Sequence, residues 1–393
     1  METRTIELAS VIKDIAAGPF GSNLKVSCFV EEGFPIIDGA NLKGIKVTDN
    51  VTKFVTEEKA RSLHRSIASR GDVVVTISGN VGQIAYIPNN SQYAEYLVSQ
   101  RQFRVTFDTE QVYVPDLVYY FHTYEGQHKI LAFANQTGVP ALAQPLKNFK
   151  RITVNLPTLN EQKRVASICE AITGKIETND QINDNLQQQA MALYASMFLD
   201  NSALETTAGT LKDIADITMG QSPSGSSYNE DGNGEVFYQG RAEFGYRFPT
   251  RRLYTTEPKR MAEAGDVLLS VRAPVGDLNV AYERCCIGRG LGAIHGRNGY
   301  ESFVLYTMFA LRPQLDVYNG EGTVFGSINR SALNDMPIDI PSEDAIAAFE
   351  AIARPMDDMI RSNYEENCRL QELRDFLLPR LMSGEVDVSD IDI

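Results

Sequence analysis

The chain has 393 residues, 43% hydrophobic and 22% charged, with a formal net charge of −14; that is enough for two or three domains with cores of their own. No apolar run approaches the roughly 18 to 20 residues that cross a bilayer, and the first ten residues carry charge without an apolar centre, so neither a membrane span nor a signal peptide is expected. Five cysteines, two of them adjacent at Cys285 and Cys286, suit neither a disulfide framework nor a zinc site and point to a reducing, cytoplasmic setting.

Read in chain order, the sequence is written twice. Lys13-Asp14-Ile15-Ala16 returns as Lys212-Asp213-Ile214-Ala215, and Gly71-Asp72-Val73-Val74-Val75-Thr76 returns as Gly265-Asp266-Val267-Leu268-Leu269-Ser270. Val81-Gly82 returns in step as Val275-Gly276, and the Leu-Pro that ends Ile152–Pro157 has its counterpart at Ile338–Pro341. The β-branched runs after each Gly-Asp predict strands opened by a turn. Pro115–Tyr124 and Ser302–Ala310 predict small helices. Five segments follow: a mixed α/β domain at 1–157, a helix at 158–200, a second mixed domain at 201–341, a helix at 342–384, and an acidic tail at 385–393. The class is α+β; the strand order within a half is not legible.

The two helices align without a gap at a shift of 184. With position a at Val165, the residues Ile172, Asn179, Leu186 and Leu193 follow every seven, and Phe349, Met356, Asn363, Leu370 and Leu377 fall at the same phase. Ile168, Ile182, Ile352, Met359 and Leu373 fill d, and Ile176, Met197, Ile360 and Leu381 fill e. This spacing predicts a coiled-coil seam with drift between d and e. Asn179 and Asn363 share one a position; there an Asn either fixes register from a buried site or marks a wet point on the surface. Pro355 lacks a backbone donor and predicts a break or kink in the second helix. Two similar halves, each followed by a similar helix, can close a pseudo-two-fold arrangement with antiparallel helices. A helix of ~40 residues is ~60 Å long, sufficient to place two readers about one duplex turn, ~34 Å, apart.

The net charge hides a division. Residues 1–157 carry 16 Lys+Arg against 15 Asp+Glu, whereas residues 342–393 carry 5 against 13. Within the first domain, Asn41–Arg70 holds seven cations, among them Lys43, Lys46, Arg61 and Arg65, against three acids. At the equivalent place after Gln239-Gly240, the second domain holds Arg241, Arg247, Arg251 and Arg252 among Phe244, Tyr246, Phe248 and Tyr254. Arg suits guanine and Asn or Gln suits adenine, and cations neutralise phosphate. Asn41, Ser78, Asn80, Gln136 and Thr137 in the first half, and Gln239, Arg272, Ser327 and Asn329 in the second, complete the candidate DNA-contacting set. A solvated charged loop is the plainer explanation of either patch alone; their equivalent placement favours nucleic acid. The competing function is a scaffold whose domains bind protein or glycan, with the aromatics as a stacking surface.

These repeated motifs, together with Leu156-Pro157-Thr158-Leu159-Asn160-Glu161-Gln162 at the start of the first helix and Leu378-Pro379-Arg380-Leu381-Met382-Ser383-Gly384-Glu385 near the end, resemble the DNA-specificity subunit of type I restriction-modification systems. The resemblance covers the whole chain and rests on the order of domains and helices. It implies two target-recognition domains, each reading half of a split site on double-stranded DNA, and helices that dock two methyltransferase subunits. It implies no catalysis and no cofactor in this subunit, with S-adenosylmethionine, ATP and magnesium belonging to the methyltransferase and the restriction endonuclease/translocase subunits. The second half departs from the pattern where Pro341-Ser342-Glu343-Asp344 replaces the Glu-Gln start of the helix. No amino-methyltransferase Asn/Asp-Pro-Pro-Tyr/Phe motif and no phosphate loop occurs. Gly288-Arg289-Gly290-Leu291-Gly292 is read as a tight strand turn, and the four histidines lack a ligand-like grouping.

Overall fold

The computed structural model describes residues 3–135, 139–319 and 326–388, which divide into two units: 1–177 with 366–393, and 178–365. In the first unit, Thr3–Glu7 pairs antiparallel with Thr153–Pro157. A four-stranded antiparallel sheet runs in the order Ile12–Ala17, Gln102–Phe107, Val73–Thr76, Ile84–Tyr86. A five-stranded sheet runs Phe29–Val30, Phe54–Val55, Phe34–Ile37, Glu95–Val98, Ile67–Ser69, with one parallel pairing between its third and fourth strands.

The second unit repeats this pattern. Thr206–Thr210 pairs with Pro337–Pro341. The four-stranded order is Ala215–Met219, Leu291–Gly296, Val267–Ser270, Leu278–Val280, and the five-stranded order is Tyr228–Asn229, Leu253–Thr255, Glu235–Tyr238, Cys285–Ile287, Met261–Ala262. The parallel pairing recurs between Glu235–Tyr238 and Cys285–Ile287.

The Gly-Asp strand is central to each half, and its burial explains its composition. Val73 and Val75 face one core cluster and Val74 another; Val267 and Leu269 face one and Leu268 another. A strand with both faces covered reads as a continuous apolar run. Gly71 and Gly265 take φ values of +88° and +95°, which the turn requires and side chains resist. Each Asp then closes its own turn, accepting from the Ser69 amide at 2.9 Å and the Glu263 amide at 2.8 Å.

The first long helix spans Leu159–Tyr194 and ends in a π turn, Ala195–Leu199; the second spans Glu343–Ser383. Thr158 and Glu161 cap the first reciprocally, as a capping box does. Gln162, fully buried, accepts from the Tyr113 amide at 2.7 Å and donates to Gln111 and Pro157 carbonyls. The Glu-Gln start thus caps the helix with one residue and ties it to its domain with the next. In the second unit the tie is made further along: Glu350 accepts from the Phe303 amide at 2.7 Å, in the first turn of helix Glu301–Ala310.

Within each unit the helix segments run antiparallel. Val165 and Cys169 pack with Leu378 and Leu381 in the first; Tyr194 packs edge-on against Phe349 in the second. The seam differs from the expected phase. Positions a and e are inside, with Val165, Cys169, Ile176, Asn179, Asn183 and Ala190 on one helix and Phe349, Ala353, Ile360, Asn363 and Asn367 on the other buried. Of the expected d residues, Ile168 packs against the seam, whereas Ile182, Ile352, Met359 and Leu373 lie outside, 40–52% exposed. Ile172, Leu186, Leu193, Met356, Leu370 and Leu377 are half-buried. The 4-3 spacing is that of a heptad whose first line is d and second line is a; apolar residues on both sides of that line hid the phase. Nor does Pro355 break its helix. Pro355 and Ala351 both lie on the exposed face, so the ring stays in solvent and the carbonyl it frees can bond water. No described helix is long and apolar enough to cross a membrane.

Candidate nucleic-acid interface

In each unit the central Gly-Asp strand leaves its sheet and runs between two loops. In the first, the Ile77 amide donates to the Arg101 carbonyl and the Leu142 amide to the Ile77 carbonyl; Ser78 then bridges to Ala141, and the Gly79 amide donates to the Pro140 carbonyl. In the second, Val271 donates to Gly290 and Ile328 to Val271; Arg272 bridges to Ser327, and Ala273 donates to Gly326. The two sets match bond for bond, and each borders a cleft: about 560 Å³ in the first unit and about 610 Å³ in the second.

The first cleft holds Ser78, Asn80, Gln83, Gln100, Arg101 and Gln102. Its floor is an amide chain. Gln102 donates to the Thr76 hydroxyl at 3.4 Å, Thr76 donates to Gln83 at 3.2 Å, and Ser99 bonds Gln102. At one side Lys53 pairs with Asp38 at 2.6 Å. Burial pushes the Asp38 carboxyl up, but Lys53 and the Ala40 amide outweigh it and hold it below the ordinary value. The second cleft holds Arg272, Arg289, Ser327, Asn329 and Arg330. None of these three guanidinium groups forms an ion pair among the described residues. Asn329 also caps helix Arg330–Asn334, accepting from the Ala332 amide at 2.9 Å. One cleft is therefore amide-rich and the other guanidinium-rich, which suits different base edges.

Five of the seventeen candidates, Ser78, Asn80, Arg272, Ser327 and Asn329, line these clefts. Gln136 and Thr137 lie outside the described residues, on the segment leading to Pro140. Gln239 is exposed, its backbone against the Gly288–Gly290 turn, where a Cβ on either glycine would come within 2.9 Å of it; this is the tight turn expected there.

The structure buries two residues of the expected basic patches and pairs most of the others with acids. Asn41 is buried, donating to the Thr48 and Asn50 carbonyls at 3.1 Å each, and so holds a turn. Arg247 is 5% exposed and pairs with Asp357 of the second helix at 3.2 Å. Lys46 faces Glu177 of the first helix at 3.3 Å. Arg61 pairs with Glu57 and Glu95, which together raise its pKa. Arg241 pairs with Asp277, Arg251 with Glu283, and Arg252 with Glu243. Lys43 and Arg65 are exposed but lie outside the cleft. A charge count along the sequence missed these pairings because most of the acids are distant in sequence.

Sequence reasoning missed Gln83, Gln100, Arg101, Gln102, Arg289 and Arg330. A usable signal existed: Gln100–Gln102 and Arg289–Leu291 stand at equivalent places just ahead of the strand that pairs with each Gly-Asp strand.

A sequence model of the type I restriction modification DNA specificity domain matches residues 26–188. The putative type I restriction enzyme MjaX specificity subunit of Methanocaldococcus jannaschii is 25% identical over 374 residues, covering 91% of this chain and 88% of the relative. The type I restriction enzyme MjaIX specificity subunit of the same organism is 20% identical, covering 97% and 93%. Among solved structures, the type I restriction-modification S subunit from M. genitalium superposes with a TM-score of 0.59 at 14% identity, covering 97% of this chain and 96% of that one.

Proposed function

We propose that this chain, which belongs to the DNA-specificity subunits of type I restriction-modification systems, reads double-stranded DNA through its two matching clefts, one for each half of a split target. One observation carries this reading: an equivalent strand exit, flanked by equivalent loops, recurs in both units with different polar side chains. Repeated geometry with changed chemistry is what reading two different half-sites demands.

The chain supplies recognition, and chemistry belongs to its partners. Methyltransferase and restriction subunits would bring S-adenosylmethionine, ATP and magnesium, in a cytoplasmic complex. Ile352 and Met359, apolar yet outside the seam, and Leu373 and Phe376 on the other unit's helix segment, are suited to docking two methyltransferase subunits. Footprinting of the chain assembled with its methyltransferase should protect two segments separated by an undefined spacer. Binding should weaken steeply with salt as phosphate counterions return. Protection of one continuous segment would contradict the split target, and salt-insensitive binding would favour the glycan-stacking scaffold.

A further inference from the structure

The recognition reading leaves Phe20 unexplained. Its side chain is 83% exposed in the first unit, although a phenyl group ordinarily gains by burial. The loop that carries it is held at both ends. The Gly18 amide donates to the Gln102 carbonyl at 2.8 Å, and a Cβ on Gly18 would stand 1.9 Å from the Ser99 carbonyl oxygen, so only glycine allows this approach to the cleft floor. Four residues after Phe20, Leu24 is buried in a core cluster with Phe34, Ile36 and Leu97. Between these anchors Pro19 fixes the backbone, the Asn23 amide donates to the Phe20 carbonyl at 2.8 Å, and Gly21 packs under Gln100. Leu24, Val26 and Gln100 all line the 560 Å³ cleft, so the loop that carries Phe20 borders it. Val26 is 82% exposed. Lys25 between them is exposed and forms no ion pair among the described residues.

The second unit has the same root without the aromatic. The Gly220 amide donates to the Leu291 carbonyl at 2.9 Å, but the position equivalent to Phe20 is Ser222, whose hydroxyl accepts from the Arg289 amide at 3.2 Å.

We propose that Phe20 is a wedge that stacks on a nucleobase at one step of the half-site read by the first unit, with Val26 as its apolar flank and Lys25 at the neighbouring phosphate. The proposal rests on the reading of the clefts as DNA-facing. Apolar side chains inserted at a base step open the stack, and one aromatic–base contact is a sequence-tolerant anchor. Only one half-site would be deformed, because Ser222 has nothing to insert.

The test uses the chain assembled with its methyltransferase and a duplex carrying its methylated motif, with 2-aminopurine replacing each purine of the first unit's half-site in turn. Wild type and Phe20→Trp should change the fluorescence at one position on binding. Phe20→Ala should abolish that change and weaken binding about fivefold or more, the lower end of one base–aromatic stack. Tyr124→Ala, removing a comparably exposed aromatic outside the cleft, should match wild type. Sequence-specific binding by Phe20→Ala with wild-type affinity and an unchanged fluorescence signal would overturn the wedge while leaving the clefts as readers. Loss of methyltransferase assembly by Phe20→Ala without DNA would also overturn it, by making Phe20 a subunit contact. Absence of sequence-specific binding by wild type would remove the reading itself.

Discussion

Asn363 donates from Nδ2 to Oδ1 of Asn183 at 2.8 Å, with both side chains buried in the helix seam. The pair satisfies one amide with another across antiparallel segments, and a one-residue slip would strand both. It resolves the sequence alternative for Asn363 in favour of a buried site. Asn363→Ala should lower the unfolding free energy by about 1–3 kcal/mol, because the Asn183 carbonyl loses its donor in a dry site. Replacing both with leucine should recover most of that loss. Urea denaturation of the two variants checks the pair.

Arg247 and Arg272 were equivalent candidates in sequence and part company in the structure. Arg247→Ala removes a buried guanidinium from the half-buried Asp357, and Tyr306 still donates to that carboxylate; the expected cost is about 1–3 kcal/mol, below that of breaking a fully buried pair. Arg272→Ala, on an exposed strand exit, should leave the melting temperature unchanged, weaken DNA binding by about 1–3 kcal/mol and relax preference at one half-site, with little change in the salt slope. Thermal melting alongside salt-titrated binding separates a docking arginine from a reading one.

Much of the architecture was legible because it depends on short-range patterns. Gly71-Asp72 and Gly265-Asp266 mark turns, the seven-residue recurrence marks helices, and the shift of 184 marks the repeat. Strand order was not legible, since Glu95–Val98 joins Phe34–Ile37 across some sixty residues and neither run names its partner. The clefts were only half legible for the same reason. Ser78 was a candidate, but the loop that brings Arg101 beside it is placed by a backbone bond from Ile77, which no composition window records. The a line of the seam is legible in the sequence; the choice between d and e as its second line is not, because Ile182 and Met359 are as apolar as the residues inside.

Those outward residues lead to a third expectation. Ile352→Glu and Met359→Glu, separately, should leave urea denaturation unchanged, since each side chain is about half exposed. Each should reduce the methyltransferase bound per chain if this face is a docking surface. Mass measurement of the assembled complex reads the stoichiometry; an unchanged ratio would move the docking site elsewhere.

Glu350 gives the second unit a pH response. Burial pushes its carboxyl up to about 7 against the pull of the Phe303 amide. Between the ordinary carboxylate range and pH 7 the folded unit therefore holds a proton that the unfolded chain releases. Stability should fall as pH rises through that window, with a slope of up to about 1.4 kcal/mol per pH unit, and level off above it. Glu350→Gln should remove this component of the slope. Denaturation at a series of pH values compares the two; identical slopes would contradict the assignment.

The most direct test of two clefts reading two half-sites is methylome sequencing of cells carrying wild type, Asn80→Ala or Arg272→Ala. The account predicts a methylated motif of two defined segments around an undefined spacer, with Asn80→Ala relaxing bases in one segment and Arg272→Ala relaxing bases in the other. A continuous motif, or both substitutions altering the same segment, would contradict it.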